Sequence, residues 1–470
     1  MSYRPFRPAL AAALAVAAAG CSLVPTYQRP ALQIPAGFKE APAGWHAVAP
    51  ADEQSRGEWW RAFGDPVLDG LEADATAHNQ TVAAAVASYD GERALLRESR
   101  ASLWPEISGS VGVSRSGGNG GTGTTTGKRA NAGINGAWTI DLFGGLRAGV
   151  AQNKASMLAS RASLGNALLA IHAQLASDYL QLRGMDAQLA AYQRTISGYQ
   201  RTLTITGNRY KVGVAAHMDV LQAETTLRNA QSQVIDMQRQ RATLEHAIAV
   251  LSGRAPADLS LATQQWNAHV PEVPATLPSD LLQRRPDVAA AERSVMAANA
   301  GIGVQRAALF PSLNLSASSG RSAQVLGDLA SGGSAIWSLG LTGAMTLLDW
   351  GARSARVDQA RASYEQSAAS YRQTVLSALQ QTEDALVDLR SYADEAASLK
   401  ASSQAADQVE QMTLNQYLAG MADYTTVVTA QNTALAARRS AIAAVVQQQQ
   451  AAVALTQAIG GGWDDTVPAR

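Results

Sequence analysis

The sequence predicts a mixed α/β membrane protein in which each chain adds four strands to a transmembrane β-barrel shared between subunits. The remainder is predicted to be long α-helix. Three observations lead to this fold class: an internal sequence repeat, four short segments with two-residue alternation, and two long helical stretches without proline. A repeat of this size constrains the fold more strongly than any local motif.

The N-terminus resembles an export signal. The apolar run 9–19 is too short to cross a bilayer, which needs about 20 apolar residues. It ends at Ala-Ala-Gly-Cys, which is similar to the lipobox of bacterial lipoproteins, and Cys21 is the only cysteine in the chain. We therefore predict a signal peptide at 1–20 and an acylated, extended segment at 21–65. The alternative is a buried structural cysteine after an ordinary signal.

Residues from the two halves of the chain match at a nearly constant offset. Leu103-Trp104-Pro105 corresponds to Leu309-Phe310-Pro311, and Asn208-Arg209-Tyr210 corresponds to Asn415-Gln416-Tyr417. Proline is absent between Pro105 and Asn208 and between Pro311 and Asn415, as expected for long helices and central strands. The predicted organisation is a first repeat at 66–253, a Pro-rich linker at 254–278, a second repeat at 279–460 and a tail at 461–470.

Four segments alternate strictly between apolar and small polar residues, which is the period of a β-strand. They are 106–115, 131–141, 311–319 and 337–347. Each has about the length that a tilted strand needs to span a bilayer. The Gly/Ser/Thr-rich segments 115–130 and 321–334 are predicted to be exposed loops.

Four strands cannot close a barrel, since small barrels have about 8 or more strands. Open edges in lipid would leave backbone groups unpaired. The barrel must therefore be shared between chains. The alternative interpretation of the four segments is that they form the edge of a soluble β-sandwich.

The helical stretches fall into two lengths. Residues 145–210 and 351–417 would each form a helix about 100 Å long, and 66–103 and 217–252 would form helices about half as long. Helix 217–252 carries a heptad pattern that Arg241 interrupts, and alanine seams allow its neighbours to approach closely. The alternative is an alanine-rich rod or adhesin stalk, whose helices would show the same alanine-lined contacts.

Composition offers no support for chemistry or nucleic-acid binding. Lys plus Arg and Asp plus Glu number 38 each, so no basic excess indicates a nucleic-acid partner. The six histidines are scattered, and no HExxH spacing occurs. We predict no enzyme activity, no catalytic residue, no metal site and no cofactor.

Several motifs together resemble the TolC-like outer-membrane efflux proteins, specifically their lipoprotein branch, which serves resistance-nodulation-division pumps. The resemblance covers nearly the whole mature chain. The residues that carry it are Pro25–Pro30 (PTYQRP), Trp59-Trp60, Phe63–Pro66 (FGDP), Asp141–Gly144 (DLFG), Leu281–Arg293 (LLQRRPDVAAAER), Asn208–Ala223 and its echo Asn415–Ala430.

This resemblance implies a homotrimer with one 12-stranded barrel in the outer membrane, continuous with a periplasmic α-helical barrel. It also implies docking to a periplasmic adaptor protein and an inner-membrane pump, and passive conduction of drugs or other small solutes. Two alternatives stay open: the exit duct of a type I protein secretion system, and a non-conducting structural lipoprotein.

The resemblance also implies where the periplasmic tip lies. The tip would be formed by the helix turns around the two Tyr-x-x-Gly motifs, that is by Tyr210, Gly213, Tyr417 and Gly420. Some relatives hold the tip closed with acids and arginines just after these turns. The candidate acids are Asp219 and Asp423, with Tyr424 beside the latter. The alternative is that these acids are solvated or stabilise helix N-termini.

Overall fold

The computed structural model describes residues 23–41, 57–120, 123–272, 284–332 and 334–461. The signal peptide and Cys21 therefore lie outside the described residues. The main helices and strands are α1 Pro66–His78, α2 Gln80–Ala101, β1 Glu106–Gly120, β2 Gly123–Ile140, α3 Gly145–Lys211, α4 His217–Leu251, α5 Pro286–Ala307, β3 Ser312–Ala323, β4 Ser334–Ala344, α6 Ala352–Leu418 and α7 Tyr424–Ala458. Short helical turns lie at Trp59–Phe63, Pro256–Asp258 and Asp328–Ser331.

The chain divides into two compact units. One comprises 1–31, 87–161 and 290–373, as far as these are described, and contains the β-sheet. The other comprises 32–86, 162–289 and 374–470, and the regular elements among its described residues are all helices. No helix among the described residues is long and apolar enough to cross a membrane.

The four strands form one antiparallel sheet in the order β1-β2-β3-β4, so β1 and β4 are its outer strands. The register pairs Trp138 with Leu315 and Leu315 with Leu341. Directly paired residues share a face of the sheet, so the apolar residues of the strands collect on one face. Large apolar side chains on this face are exposed, including Ile107, Val111, Ile134, Trp337 and Leu339. The predicted alternation is therefore confirmed.

The opposite face of the sheet is small and polar. Its side chains bond to each other, as in the contact between Thr139 Oγ1 and Asn314 Oδ1 at 2.8 Å. The Ser318 and Ser338 hydroxyls are also 2.8 Å apart.

The prediction of a loop at 115–130 is wrong. β1 and β2 pair continuously from Glu106↔Ala137 to Gly120↔Gly123, so the strands run through the glycine- and threonine-rich segment. Ladder hydrogen bonds come from the backbone, and a partner strand can therefore hold residues whose own propensity favours a loop. In the second half, β3 extends to Ala323, and β4 begins at Ser334.

The predicted helix over 66–103 is interrupted at Asn79. The Asn79 Oδ1 accepts hydrogen bonds from the amides of Thr81 and Val82, at 2.8 and 3.1 Å. This is the geometry of a helix N-cap, so α2 starts anew after Asn79. The Asn79 side chain also donates to the carbonyl of Leu251, at the end of α4. Nothing in the local sequence resembles a proline or glycine break.

The internal repeat is visible in the backbone. Positive φ occurs at Gly144 and Gly351, and at Gly253 and Gly460, two pairs that are 207 residues apart. Each strand-to-helix corner also carries an aspartate that accepts hydrogen bonds from amides at the start of the next helix or just before it. Asp141 bonds the amides of Leu146 and Arg147, and Asp349 bonds those of Gly351 and Arg353.

Arg241, which interrupts the heptad pattern, belongs to a polar network. Its Nε donates to Asp186 Oδ1 at 2.6 Å, and its Nη2 donates to the carbonyl of Leu261. The buried Arg183 contacts the other oxygen of Asp186 at 3.1 Å and the carbonyl of Ala262 at 2.8 Å. Asp186 therefore bridges the two arginines, Arg241 pairs in addition with Glu245 at 2.6 Å, and both arginines hold the segment after α4 against the helices.

The N-terminal segment 23–41 is attached to α5 and α6. Arg29 forms a bidentate ion pair with Glu292 of α5, at 2.8 and 2.6 Å. Asn299, on the same helix, donates to the carbonyl of Pro25 at 2.8 Å. Further along, the Glu383 carboxylate of α6 accepts from the amides of Lys39 and Glu40. The PTYQRP motif and the end of the LLQRRPDVAAAER motif are thus partners in space.

Candidate functional site

The two helix turns that contain the Tyr-x-x-Gly motifs have the same backbone form. Gly213 and Gly420 have φ values of 76° and 77°, which an L-residue with a side chain adopts only with strain. The amide of Gly213 donates to the carbonyl of Tyr210 at 2.9 Å, and that of Gly420 to Tyr417 at 3.0 Å. These bonds end α3 and α6 in the manner of helix C-caps.

The tyrosines of the two turns lie in different surroundings. Tyr417 is 3% exposed and packs in a cluster with Tyr424, Val427 and Ala223. The Tyr417 hydroxyl lies 3.0 Å from the hydroxyl of Thr206 on α3. Tyr210 is 45% exposed, and its ring lies beside that of His217, with centroids 5.1 Å apart.

Arg209 makes the shortest link between the two turns and was not among the predicted site residues. Its Nη1 donates to the carbonyl of Tyr417 at 2.6 Å. Its guanidinium carbon lies 4.6 Å from the centroid of the Tyr417 ring, within the range of a cation–π contact. Arg209 and Tyr417 are far apart in sequence, so no local motif identifies their contact. The one sequence signal is that the second repeat has Gln416 at the position equivalent to Arg209.

Asp219 lies in the first turn of α4 and is half-buried. It forms no ion pair within 4 Å with any described residue. It lies close enough to Tyr424 to raise the pKa of that phenol. Burial is the main cause of the raised pKa of Tyr424, about 12, and a hydrogen bond with Thr226 of α4 opposes it. The charge of Asp219 is thus felt at Tyr424, the first residue of α7.

Asp423 is an exposed N-cap residue. Its Oδ1 accepts hydrogen bonds from the Thr426 hydroxyl, at 2.5 Å, and from the Thr426 amide, at 2.8 Å. These bonds lower the pKa of the Asp423 carboxyl below its ordinary value. Within the described chain, Asp423 thus has a local role at the start of α7, and no arginine or lysine pairs with it.

A groove of about 430 Å³ begins beside Asp423 and runs between α6 and α7. Its walls carry Thr413, Thr425, Thr426, Thr429 and Thr433, together with Val409. The hydroxyls of Thr429 and Thr433 donate to carbonyls of their own helix, so the groove presents mainly methyl groups. In the described residues no group of three or more His, Cys, Asp or Glu side chains could hold a metal ion.

Comparison with known proteins gives consistent matches over almost the whole chain. The family model "Outer membrane efflux protein" matches twice, at 71–254 and 277–461, which confirms the internal duplication. The chain is 31% identical over 452 residues to the antibiotic efflux pump outer membrane protein ArpC of Pseudomonas putida, covering 94% of this chain and 93% of ArpC. It is 30% identical, with the same coverage, to the toluene efflux pump outer membrane protein TtgC of that species.

Among solved structures, the outer-membrane channel OprN aligns with a TM-score of 0.86 and 28% identity, over 94% of this chain and all of OprN. Its fold confirms the fold class predicted above.

Proposed function

Because the chain belongs to the outer membrane efflux protein family, it is the outer-membrane channel subunit of an efflux system, and we propose that it passively conducts small organic solutes to the cell exterior. One observation carries this proposal. The sheet has one face of exposed apolar side chains and one face of small polar side chains. That division suits strands with lipid on one side and water on the other. The chain needs no reaction for this role.

Closure of the barrel requires other copies of the chain. β1 and β4 are the outer strands of the single sheet, and unpaired strand edges in hydrocarbon cost several kcal/mol per group. Three chains would pair β1 of one subunit with β4 of the next and form 12 strands, which is within the range of outer-membrane barrels. We therefore assign a homotrimer.

The lipid anchor is assigned to Cys21. The support is the sequence Ala-Ala-Gly-Cys after an apolar run, together with the attachment of 23–41 to α5 and α6. Acyl chains on Cys21 would attach the chain to the membrane in addition to the strands.

The tip residues are assigned to the periplasmic end, where an adaptor protein and an inner-membrane resistance-nodulation-division pump would supply the solute and the energy. Tyr210, Gly213, Tyr417 and Gly420 form the two turns. Asp219 and Asp423, the predicted gate acids, lie just after these turns, and the threonine-lined groove beside Asp423 offers a surface for the adaptor.

Small solutes are favoured over polypeptides because the relatives are named for antibiotic and toluene efflux. The test is susceptibility of the native host after deletion of the gene, with the wild-type gene restored from a plasmid as the control. The proposal predicts increased susceptibility to antibiotics and toluene. Unchanged susceptibility, with loss of an exported polypeptide from the medium, would favour the type I secretion duct. No change in either would favour the structural lipoprotein.

A further inference from the structure

Among the positions at which the two repeated turns differ, one explains why one turn is held and the other is not. Gly213 and Gly420 have almost the same φ, yet Tyr417 is buried and Tyr210 is exposed. The residue before each tyrosine is Arg209 in the first repeat and Gln416 in the second. Arg209 reaches across to the second turn, whereas Gln416 is exposed.

The charge of Arg209 is stabilised without a carboxylate. No described Asp or Glu lies within ion-pair distance of its guanidinium. Its partners are the carbonyl of Tyr417, near the end of α6, and the face of the Tyr417 ring. A cation is favoured at the C-terminus of a helix, because the last carbonyls carry partial negative charge. Arg209 therefore stabilises the C-terminus of α6 from another helix.

The surrounding contacts keep this arginine aligned. The Tyr417 hydroxyl meets Thr206, which is fully buried one turn before Arg209 on α3. Both ends of the Tyr417 residue, its carbonyl and its hydroxyl, are thus held by the same face of α3. The turn between α3 and α4 has no corresponding contact in the described residues. Its tyrosine, Tyr210, lies against His217 at the start of α4.

We propose that Arg209 is a positioning residue that docks the α6–α7 turn on α3, and that this contact, not an ion pair of Asp219 or Asp423, keeps the channel tip narrow. The inference rests on the proposed function, since it concerns the same tip. It assigns unequal roles to the two turns. The α6–α7 turn is held by Arg209, and the α3–α4 turn is not.

The test compares Arg209→Gln, Arg209→Lys and Gln416→Arg in the purified full-length protein. Arg209→Gln gives the first repeat the residue of the second, and Gln416→Arg is the matched control on the equivalent exposed site. Amide hydrogen exchange of residues 418–422 reports docking of the turn. Single-channel conductance in planar bilayers reports the width of the tip. Arg209→Lys keeps the charge but loses the planar group that both bonds and stacks.

In Arg209→Gln, exchange at 418–422 should rise about tenfold or more, because a hydrogen bond from a charged donor is lost, and conductance should rise. In Arg209→Lys, exchange and conductance should lie between those of the wild type and of Arg209→Gln. Gln416→Arg should match the wild type in both. Unchanged exchange would overturn the docking role, and faster exchange with unchanged conductance would overturn the control of the tip. If the wild type does not conduct, the proposed function fails, whereas the exchange data still decide the docking.

Discussion

The Nδ1 of His172 lies 2.6 Å from Oε2 of Glu72, in a pair that is buried between α1 and α3. Trp60 stacks on the imidazole at 4.4 Å. Burial raises the pKa of Glu72 to about 9 and lowers the pKa of His172 to about 4. The folded pair therefore holds one proton across the neutral range, because neither charge is solvated there.

This pair predicts a loss of stability in alkali. Between pH 4.5 and 6.5 the unfolded chain carries one proton on the histidine and the folded chain one on Glu72, so the two contributions to the pH dependence cancel. Above pH 6.5 the unfolded groups carry none, whereas the folded pair keeps its proton until its pKa, about 9. Stability should then fall as pH rises, by about 1.4 kcal/mol per unit.

The measurement is thermal unfolding of the detergent-solubilised protein from pH 5 to pH 9, beside Glu72→Gln. The amide keeps a hydrogen bond to His172 but cannot titrate, so the decline above pH 6.5 should become shallower in the variant. The same slope in both proteins would show that the pair does not carry this proton.

Replacement of Asp186 should be the most destabilising single change in the polar network. Asp186→Ala leaves the buried Arg183 without its carboxylate, whereas Arg241 keeps its ion pair with Glu245, and a buried charge without its partner costs about 3–5 kcal/mol. Denaturant unfolding in detergent measures the loss. Asp236→Ala is the matched control, since Asp236 pairs with Arg239 on an exposed surface and should change little. Equal effects of the two variants would contradict the importance of the network.

Removal of the Glu292 charge should free the N-terminal segment. Glu292→Gln weakens the bidentate ion pair with Arg29, and a nitroxide at Gln28→Cys should become more mobile by electron spin resonance. Glu365→Gln is the control, since Glu365 is an exposed acid of α6. The idea fails if the label is as restricted with Glu292→Gln as with the control.

Cys21→Ser tests the anchor separately. Radiolabelled palmitate should enter the wild-type protein and a Ser22→Ala control, but not the Cys21→Ser protein. The unacylated protein should still fractionate with the outer membrane, because its strands also hold it there. Equal incorporation in all three proteins would show that Cys21 is not the acylated residue.

Periodicity was sufficient to predict the strands, since their alternation is a property of adjacent residues. The Trp337–Leu341 segment pairs as expected and presents its apolar side chains on one face. The same reasoning failed at 115–130, where pairing between β1 and β2 holds glycines and threonines in strands. It also failed at Asn79, whose cap depends on its own side chain and on Leu251 from a distant helix.

The tip illustrates the same limit for function. The glycines and tyrosines of the turns could be found because they recur in the repeat. Arg209 could not, because its partner is the carbonyl of Tyr417 and a carbonyl carries no sequence signature. Arg241 interrupts the heptad pattern of the sequence, and only the folded chain brings Asp186 and the carbonyl of Leu261 to its guanidinium.

Planar-bilayer conductance shows directly whether this chain forms a conducting duct. The purified trimer would be recorded beside Asp219→Asn and Asp423→Asn. Asparagine removes the charge but preserves an N-cap acceptor, so the second variant separates gating from the cap on Thr426. If the chain is a duct, the wild type should give discrete conductance steps. Larger steps in the variants would make these acids part of the gate, and unchanged steps would leave Arg209 as the residue that narrows the tip. If none of the three proteins conducts, although cross-linking verifies folded trimers, the chain is not a conducting duct.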